Sequence, residues 1–222
     1  MTALYQPGHG RFTVSDEETL AALRTLAAAA PCTLVSHGPD GFRVTLLPLL
    51  VHPEPGGGLV LRGHVARGNV QWRDAAGGVP AVAIAHGPQA YVHPGWYPSK
   101  ARTGREVPTW NYVTVVASGT VRAIDDPAWL AAHVAALADR HEAPFADPWS
   151  VADMIDGALE TQVRAIVGLE LVVDALEAKR KLSQNRSAED AEGARAGLAG
   201  GSPMERAVAA EMAREADRPD RG

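Results

Sequence analysis

Large aromatic and polar side chains crowd into one part of this 222-residue sequence. They form two runs, Tyr91-Val92-His93-Pro94-Gly95-Trp96-Tyr97-Pro98-Ser99-Lys100 and Val107-Pro108-Thr109-Trp110-Asn111-Tyr112, which hold two of the five Trp and three of the four Tyr. Flat aromatic area suits a ring-shaped ligand, while Asn, Thr, Ser and Lys can fix its polar edge. The same residues would serve equally as core or interface aromatics, so the residues alone leave both readings open.

A second segment with chemical potential is Arg62-Gly63-His64-Val65-Ala66-Arg67-Gly68-Asn69-Val70-Gln71-Trp72. Glycine lets backbone approach a ligand, a helix start offers free N–H groups to an anion, and Arg67 can grip a phosphate through two donors. Neither a Gly-x-Gly-x-x-Gly fingerprint nor a Walker loop is present, and Arg67 would serve as well in a surface ion pair. A third segment, Lys179-Arg180-Lys181-Leu182-Ser183-Gln184-Asn185-Arg186, surrounds Ser-Gln-Asn with four cations. It reads either as a solvated basic strand end or as the closure of a site for an anionic ligand.

Other chemistries are missing from the sequence. The eight histidines include no HExxH or other close pair of ligands, so no metal centre is expected; His64 and His93 lie nearest the proposed site. No Gly-x-Ser-x-Gly elbow exists, and Ser99 and Ser183 lie in unsuitable contexts for a hydrolytic nucleophile. No catalytic acid or base is identifiable. A formal charge of −5 and a pI near 5.9 argue against direct nucleic-acid binding, which draws on clustered Lys and Arg. The one cysteine, Cys32, sits in an apolar run and reads as a small buried residue. No apolar run approaches the roughly 18 residues of a membrane span, and the first residues do not read as a signal peptide. A cytoplasmic protein is expected.

The elements that must position these segments are largely β. Ser15-Asp16-Glu17-Glu18 has the form of a capping box and starts a helix to about Ala30, which Pro31 ends. Cys32 to Ser36 and Phe42 to Val51 flank Pro39-Asp40-Gly41 as a hairpin. Further strands are expected at 59–63, 79–85, 89–92, 110–124 with a bulge at Ser118-Gly119, and 169–176. Helices are expected at 127–141, behind Asp126-Pro127, and from Ser150 to about Val167. After Arg186 the chain turns to Ala, Gly, Glu and Arg, so 187–222 is expected to be a mobile, partly helical tail, with Met204, Val208 and Met212 as one short amphipathic face. Strands with few intervening helices imply an α+β protein built on an antiparallel barrel, occupying 1–186.

Taken together, the motifs resemble the PaiB family of FMN-binding negative transcriptional regulators. The resemblance rests on Leu4-Tyr5-Gln6-Pro7-Gly8-His9, on Gly63 to Trp72, on Gly87 to Lys100, on Val107 to Tyr112 and on Lys181 to Arg186, in the family's order. Departures are Gly10 where Phe is usual, His93 where Ser is common and Ala178 where Gly often precedes the last basic run. The resemblance implies an antiparallel split β-barrel of the pyridoxamine-phosphate-oxidase type with peripheral helices, dimeric, with FMN between subunits. By analogy with such barrels, Arg43, Thr45, His64, Arg67 and Asn69 are expected at the FMN phosphate and ribityl chain. Trp96, Lys100, Trp110 and Asn111 are expected at the isoalloxazine, and Ser183, Gln184, Asn185 and Arg186 over the ring or a substrate. The implied role is a flavin-dependent redox or sensor protein linked to negative regulation, with a flavin-dependent oxidoreductase among the options. A barrel for haem or another planar ligand, through His64 or His93, and a direct DNA-binding repressor are the alternatives.

Overall fold

The computed structural model describes residues 4–6, 12 and 14–218. Pro7, Gly8 and His9 of the first motif, and Gly10, therefore lie outside the described residues. The elements run α1 Asp16–Ala29, β1 Cys32–Gly38, β2 Gly41–Leu47, β3 Leu50–Pro53, β4 Leu59–Ala66, α2 Gln71–Asp74, β5 Val79–Val92, α3 Ser99–Thr103, β6 Thr109–Ile124, α4 Pro127–Glu142, α5 Ala158–Arg164, β7 Ile166–Lys181, α6 Ala188–Ala199 and α7 Pro203–Ala216. The seven strands form one sheet in the order β2-β1-β5-β6-β7-β4-β3. The chain divides into two compact units, one of 20–85 with 116–176, the other of 1–19, 86–115 and 177–222. They are described in turn.

In the first unit, β1 and β2 form the expected hairpin, with Gly38 opposite Gly41 and the two-residue turn Pro39-Asp40 between them. Gly41 takes a φ of 104°, open to a residue without Cβ. The expected run to Val51 splits at Pro48: β3 leaves β2 and pairs with β4, Val51 opposite Leu61. Leu23, Leu34, Leu47, Leu61, Leu169 and Leu171 are almost completely buried here. β6 passes Ser118-Gly119 without interruption, and a side chain at 119 would collide with the Val172 carbonyl of β7. The glycine thus serves close strand approach. The helix expected from Ser150 does not run through. Its capping box closes only a 3-10 turn, Val151–Asp153, and Gly157, in the left-handed region, precedes the seven-residue α5.

In the second unit, the chain after Arg186 is more helical and more buried than its composition implies. Ser187 and Ser202 cap α6 and α7 through the backbone N–H groups of Asp190 and Glu205. Val208 and Met212, two of the three residues marked by spacing, are buried with Ala194 and Leu198, while Met204 remains half exposed. Small residues make that packing possible: a Cβ at Gly197 would strike the Trp96 ring, and one at Gly193 the Trp96 carbonyl. The Trp96 residue packs against the α6 face that carries Gly193 and Gly197.

Candidate functional site

In the first unit, strand alternation puts Arg43 and Thr45 of β2 on one face, and Phe42, Val44 and Leu46 outward on the other. The loop after β4 meets the first face. Asn69 donates through Nδ2 to Thr45 Oγ1 at 2.8 Å, and its Oδ1 accepts from the Gln71 backbone N–H at 2.9 Å. Gln71, fully buried, donates to Ser36 Oγ at 2.9 Å, and its carbonyl oxygen Oε1 has no hydrogen-bond partner among the described residues. Arg43 Nε donates to Asp74 at 3.0 Å, and only glycine at 38 leaves room for that carboxylate. The four-residue α2 offers little to an anion, because Asn69 already takes the first of its N–H groups.

Arg67 belongs to a different set. Its guanidinium grips Asp125 with two bonds of 2.8 and 2.6 Å, and donates to the carbonyls of Arg164 and Ile166 at 2.8 and 3.0 Å. The pairing holds the Asp125 carboxyl below the usual carboxylate range. His64 turns toward α4, where its Nδ1 lies 3.2 Å from Nε2 of His133. Trp129 stacks on His133 at 5.1 Å, Arg62 lies over Trp129, and Arg62 is paired with Glu170 at 2.8 Å. Burial pushes the His133 imidazole down to about 4, with His64, His52 and Arg62 adding to the effect; burial also lowers His64. The pair is neutral at pH 7. Sequence reasoning missed His133, whose only signal is its place between Leu130 and Val134 on the apolar side of α4. Among the described residues no three His, Cys, Asp or Glu side chains come together as metal ligands.

In the second unit Asn111, fully buried on β6, donates to Ser183 Oγ at 2.9 Å and reaches Met212 Sδ at 3.4 Å. Ser183 has a φ of 70°. That left-handed turn is closed by Gln184, which accepts from the Leu182 N–H at 2.7 Å and donates to the Arg180 carbonyl at 2.5 Å. Arg186 pairs with Glu106 and lies 4.7 Å over the Tyr97 ring. Lys179, buried, donates to the Tyr5 carbonyl at 2.9 Å among the rings of Tyr5, Phe12 and Tyr112. Lys181 donates to Thr109 Oγ1 and the Trp110 carbonyl at 2.5 and 2.6 Å. Burial lowers its pKa, and the nearby charges of Lys179 and Arg186 lower it further. Trp110 is half exposed, edge-on to Tyr91 at 6.1 Å; Lys100 and Asn185 are exposed.

The candidates therefore fall into local groups: Arg43 with Thr45 and Asn69; His64 with His133; Arg67 with Asp125; Asn111 with Ser183, Gln184 and Arg186; and Trp96 against α6. The donor set of the first group, a guanidinium, a hydroxyl and an amide beside an unpaired amide carbonyl, has the chemistry of a phosphate and polyol site. Residues 5–175 match the family model described as "Putative FMN-binding domain".

The chain belongs to this FMN-binding-domain family.

The resemblance to the PaiB family holds accordingly. The chain is 31% identical over 130 residues to protein PAI 2 of Bacillus subtilis, named for protease synthase and sporulation, covering 59% of this chain and 60% of that protein. It is 29% identical over 165 residues to an uncharacterized Emericella nidulans protein, 63% of this chain and 66% of the other. The chain thus spans about three fifths to two thirds of the length of these relatives. Among solved structures, the FAD and heme binding protein of Mycobacterium smegmatis superposes with a TM-score of 0.55 at 19% identity, over 86% of this chain and 81% of that one. The flavocytochrome Anf3 of Azotobacter vinelandii gives 0.53 at 13% identity, over 79% and 72%. The fold of this FMN-binding-domain protein is the α+β split barrel, and its class of ligand is a flavin. No helix among the described residues is long and apolar enough to cross a membrane.

Proposed function

We propose that the protein binds FMN, with Arg43, Thr45 and Asn69 as donors to the phosphate and ribityl hydroxyls. The observation that carries this reading is the convergence of those three side chains on one face of the β2 hairpin, inside the stretch matched by the family model. Arg43 keeps guanidinium donors beyond its bond to Asp74, and a charge-assisted bond to phosphate is among the stronger available to it. The flavin, when bound, supplies redox chemistry; the protein binds and orients it. We further propose a cytoplasmic homodimer whose contact includes the exposed Phe42, Val44 and Leu46 of the edge strand β2. Trp110 and Lys100, both exposed, would face the ring system or a substrate from the second copy. Asn111 and Ser183, bonded to each other, and Gln184, bonded to the backbone of Arg180 and Leu182, act by fixing the turn that precedes Asn185 and Arg186.

As a flavin-dependent redox or sensor protein, the chain would influence transcription indirectly, since its acidic charge disfavours direct contact with DNA. The haem alternative depends on His64 or His93; His64 Nδ1 is engaged with His133, and His93 packs edge-on to Trp96 at 5.8 Å. Flavin is the better-supported reading. Titration of the purified protein with FMN, FAD and riboflavin, followed by flavin fluorescence, tests it. FMN is expected to bind tightest, because a single terminal phosphate suits the donor set. Equal binding of riboflavin would remove the phosphate site from the account.

A further inference from the structure

The helix and loop region of the first unit holds a half-open cleft of about 280 Å3, lined by Val134 of α4, Trp149 and Met154 of the connecting segment, Leu159 and Gln162 of α5, and Ile166 at the start of β7. No charged side chain lines it; its polar groups are the Gln162 amide and the indole N–H of Trp149. The walls are held open by backbone anchors. The Trp149 N–H donates to Glu142 at 3.1 Å, Ser150 and Asp153 close a capping box, and the Ala158 N–H donates to the Ile155 carbonyl at 3.1 Å. Trp149 stays 45% exposed and Phe145 62% exposed along this fastened segment, where a freely collapsing chain would have buried them. A preformed, mainly apolar cleft with a few hydrogen-bonding groups is the usual form of a small-molecule site.

We infer that this cleft binds a small neutral molecule, mainly apolar, of about two fused rings, carrying one hydroxyl or carbonyl for the Gln162 amide. Size follows from comparison with benzene, which occupies an apolar cavity of about 150 Å3. Neutrality follows from the lining, whose apolar floor offers a charged group no counter-charge for the hydration it gives up there. The Gln162 amide both donates and accepts, so it serves either a hydroxyl or a carbonyl. Ile166 is shared with the anchor of Arg67, whose guanidinium donates to the Ile166 carbonyl. A bound molecule therefore braces the loop after β4, and the site rests on residues other than those assigned to the flavin.

Calorimetric titration of the full chain with 2-naphthol, naphthalene and 2-naphthoate at pH 7 tests the inference. Saturable one-to-one binding of 2-naphthol is expected, with 2-naphthoate at least tenfold weaker. Gln162→Leu, at an exposed position, is expected to abolish the preference for 2-naphthol over naphthalene while leaving naphthalene bound. Met154→Trp is expected to fill the cleft and remove binding of both; if that variant fails to fold, Gln162→Leu decides alone. Absence of saturable binding, equal binding of the carboxylate, an unchanged preference in Gln162→Leu, or displacement of the probe by self-association of the protein would each overturn it.

Discussion

The two basic regions of the molecule pair their arginines alike and differ in their lysines. Around β4 and its following loop, three arginines meet acids, Arg43 with Asp74, Arg62 with Glu170 and Arg67 with Asp125, while Arg73 lies over the Trp72 ring. At the end of β7, Arg180 pairs with Glu211 and Glu215 and Arg186 with Glu106, but Lys179 and Lys181 are held by carbonyls, a hydroxyl and aromatic rings, and Lys181 sits beside two further cations. Arg67 is thus committed, with four N–H bonds to Asp125 and two carbonyls, whereas Arg43 spends two on Asp74 and Asp40 and keeps the rest of its donors; in the second region the lysines, unlike the arginines, hold their charge against neutral partners. The motif pattern alone does not distinguish a cation that awaits a ligand from one that ties two strands together. The partner does.

The largest expected effect separates the regions by pH. His133 is buried and neutral, its pKa pushed down from 6.5 to about 4. Its contribution is present above pH 6.5 and is lost as pH falls toward 4, because the unfolded chain binds a proton that the folded chain refuses. That span corresponds to about 3 kcal/mol. Urea unfolding at pH 7 and pH 4.5 is expected to show a fall that His133→Phe largely removes; an equal fall in the variant would place acid sensitivity elsewhere. Lys181, with its pKa lowered from 10.5, works in a separate alkaline window. Its charge costs stability at pH 7, so Lys181→Met is expected to hold or raise the unfolding midpoint, and a clear loss would show that its bonds to Thr109 and Trp110 outweigh the repulsion.

A smaller effect tests the neutral frame of the second region. Asn111→Ala opens a cavity and leaves Ser183 without its partner, at a cost of about 2 kcal/mol. Ser183→Gly relieves the left-handed backbone and is expected to be neutral or to stabilise by up to about 1 kcal/mol. A strongly destabilising Ser183→Gly would mean that the hydroxyl bond matters more than the turn.

Local chemistry was legible in the sequence wherever a few adjacent residues decide the outcome. The helix start at Ser15, where the Glu18 carboxylate accepts from the Ser15 N–H and hydroxyl, the Pro39-Asp40-Gly41 turn and the Asp126-Pro127 helix start appear where read. Partners distant along the chain were not. Nothing near Arg67 points to Asp125, nor near His64 to His133, 69 residues away. Trp96 was readable as an aromatic but not as a packed one, since the surface it covers consists of Gly193 and Gly197, which carry no hydrophobic signal. The helix expected over 150–167 failed because a cap announces a start, and the left-handed Gly157 within the span breaks the continuation. Of the expected site, the Thr45–Asn69 and Asn111–Ser183 pairings needed the sheet to bring together residues 24 and 72 positions apart.

In the proposed site Arg43, with donors left beyond Asp74 and Asp40, serves the flavin phosphate, and not the more conspicuous Arg67. Fluorescence titration of FMN against Arg43→Ala and Arg67→Ala, each checked by urea unfolding, tests it directly. Arg43→Ala is expected to weaken FMN about tenfold or more, the loss of a charge-assisted bond. Arg67→Ala is expected to lower the unfolding midpoint while leaving the affinity of the folded protein within about threefold, less than 1 kcal/mol. The reverse result, with FMN affinity lost on removing Arg67 and kept on removing Arg43, would contradict the account.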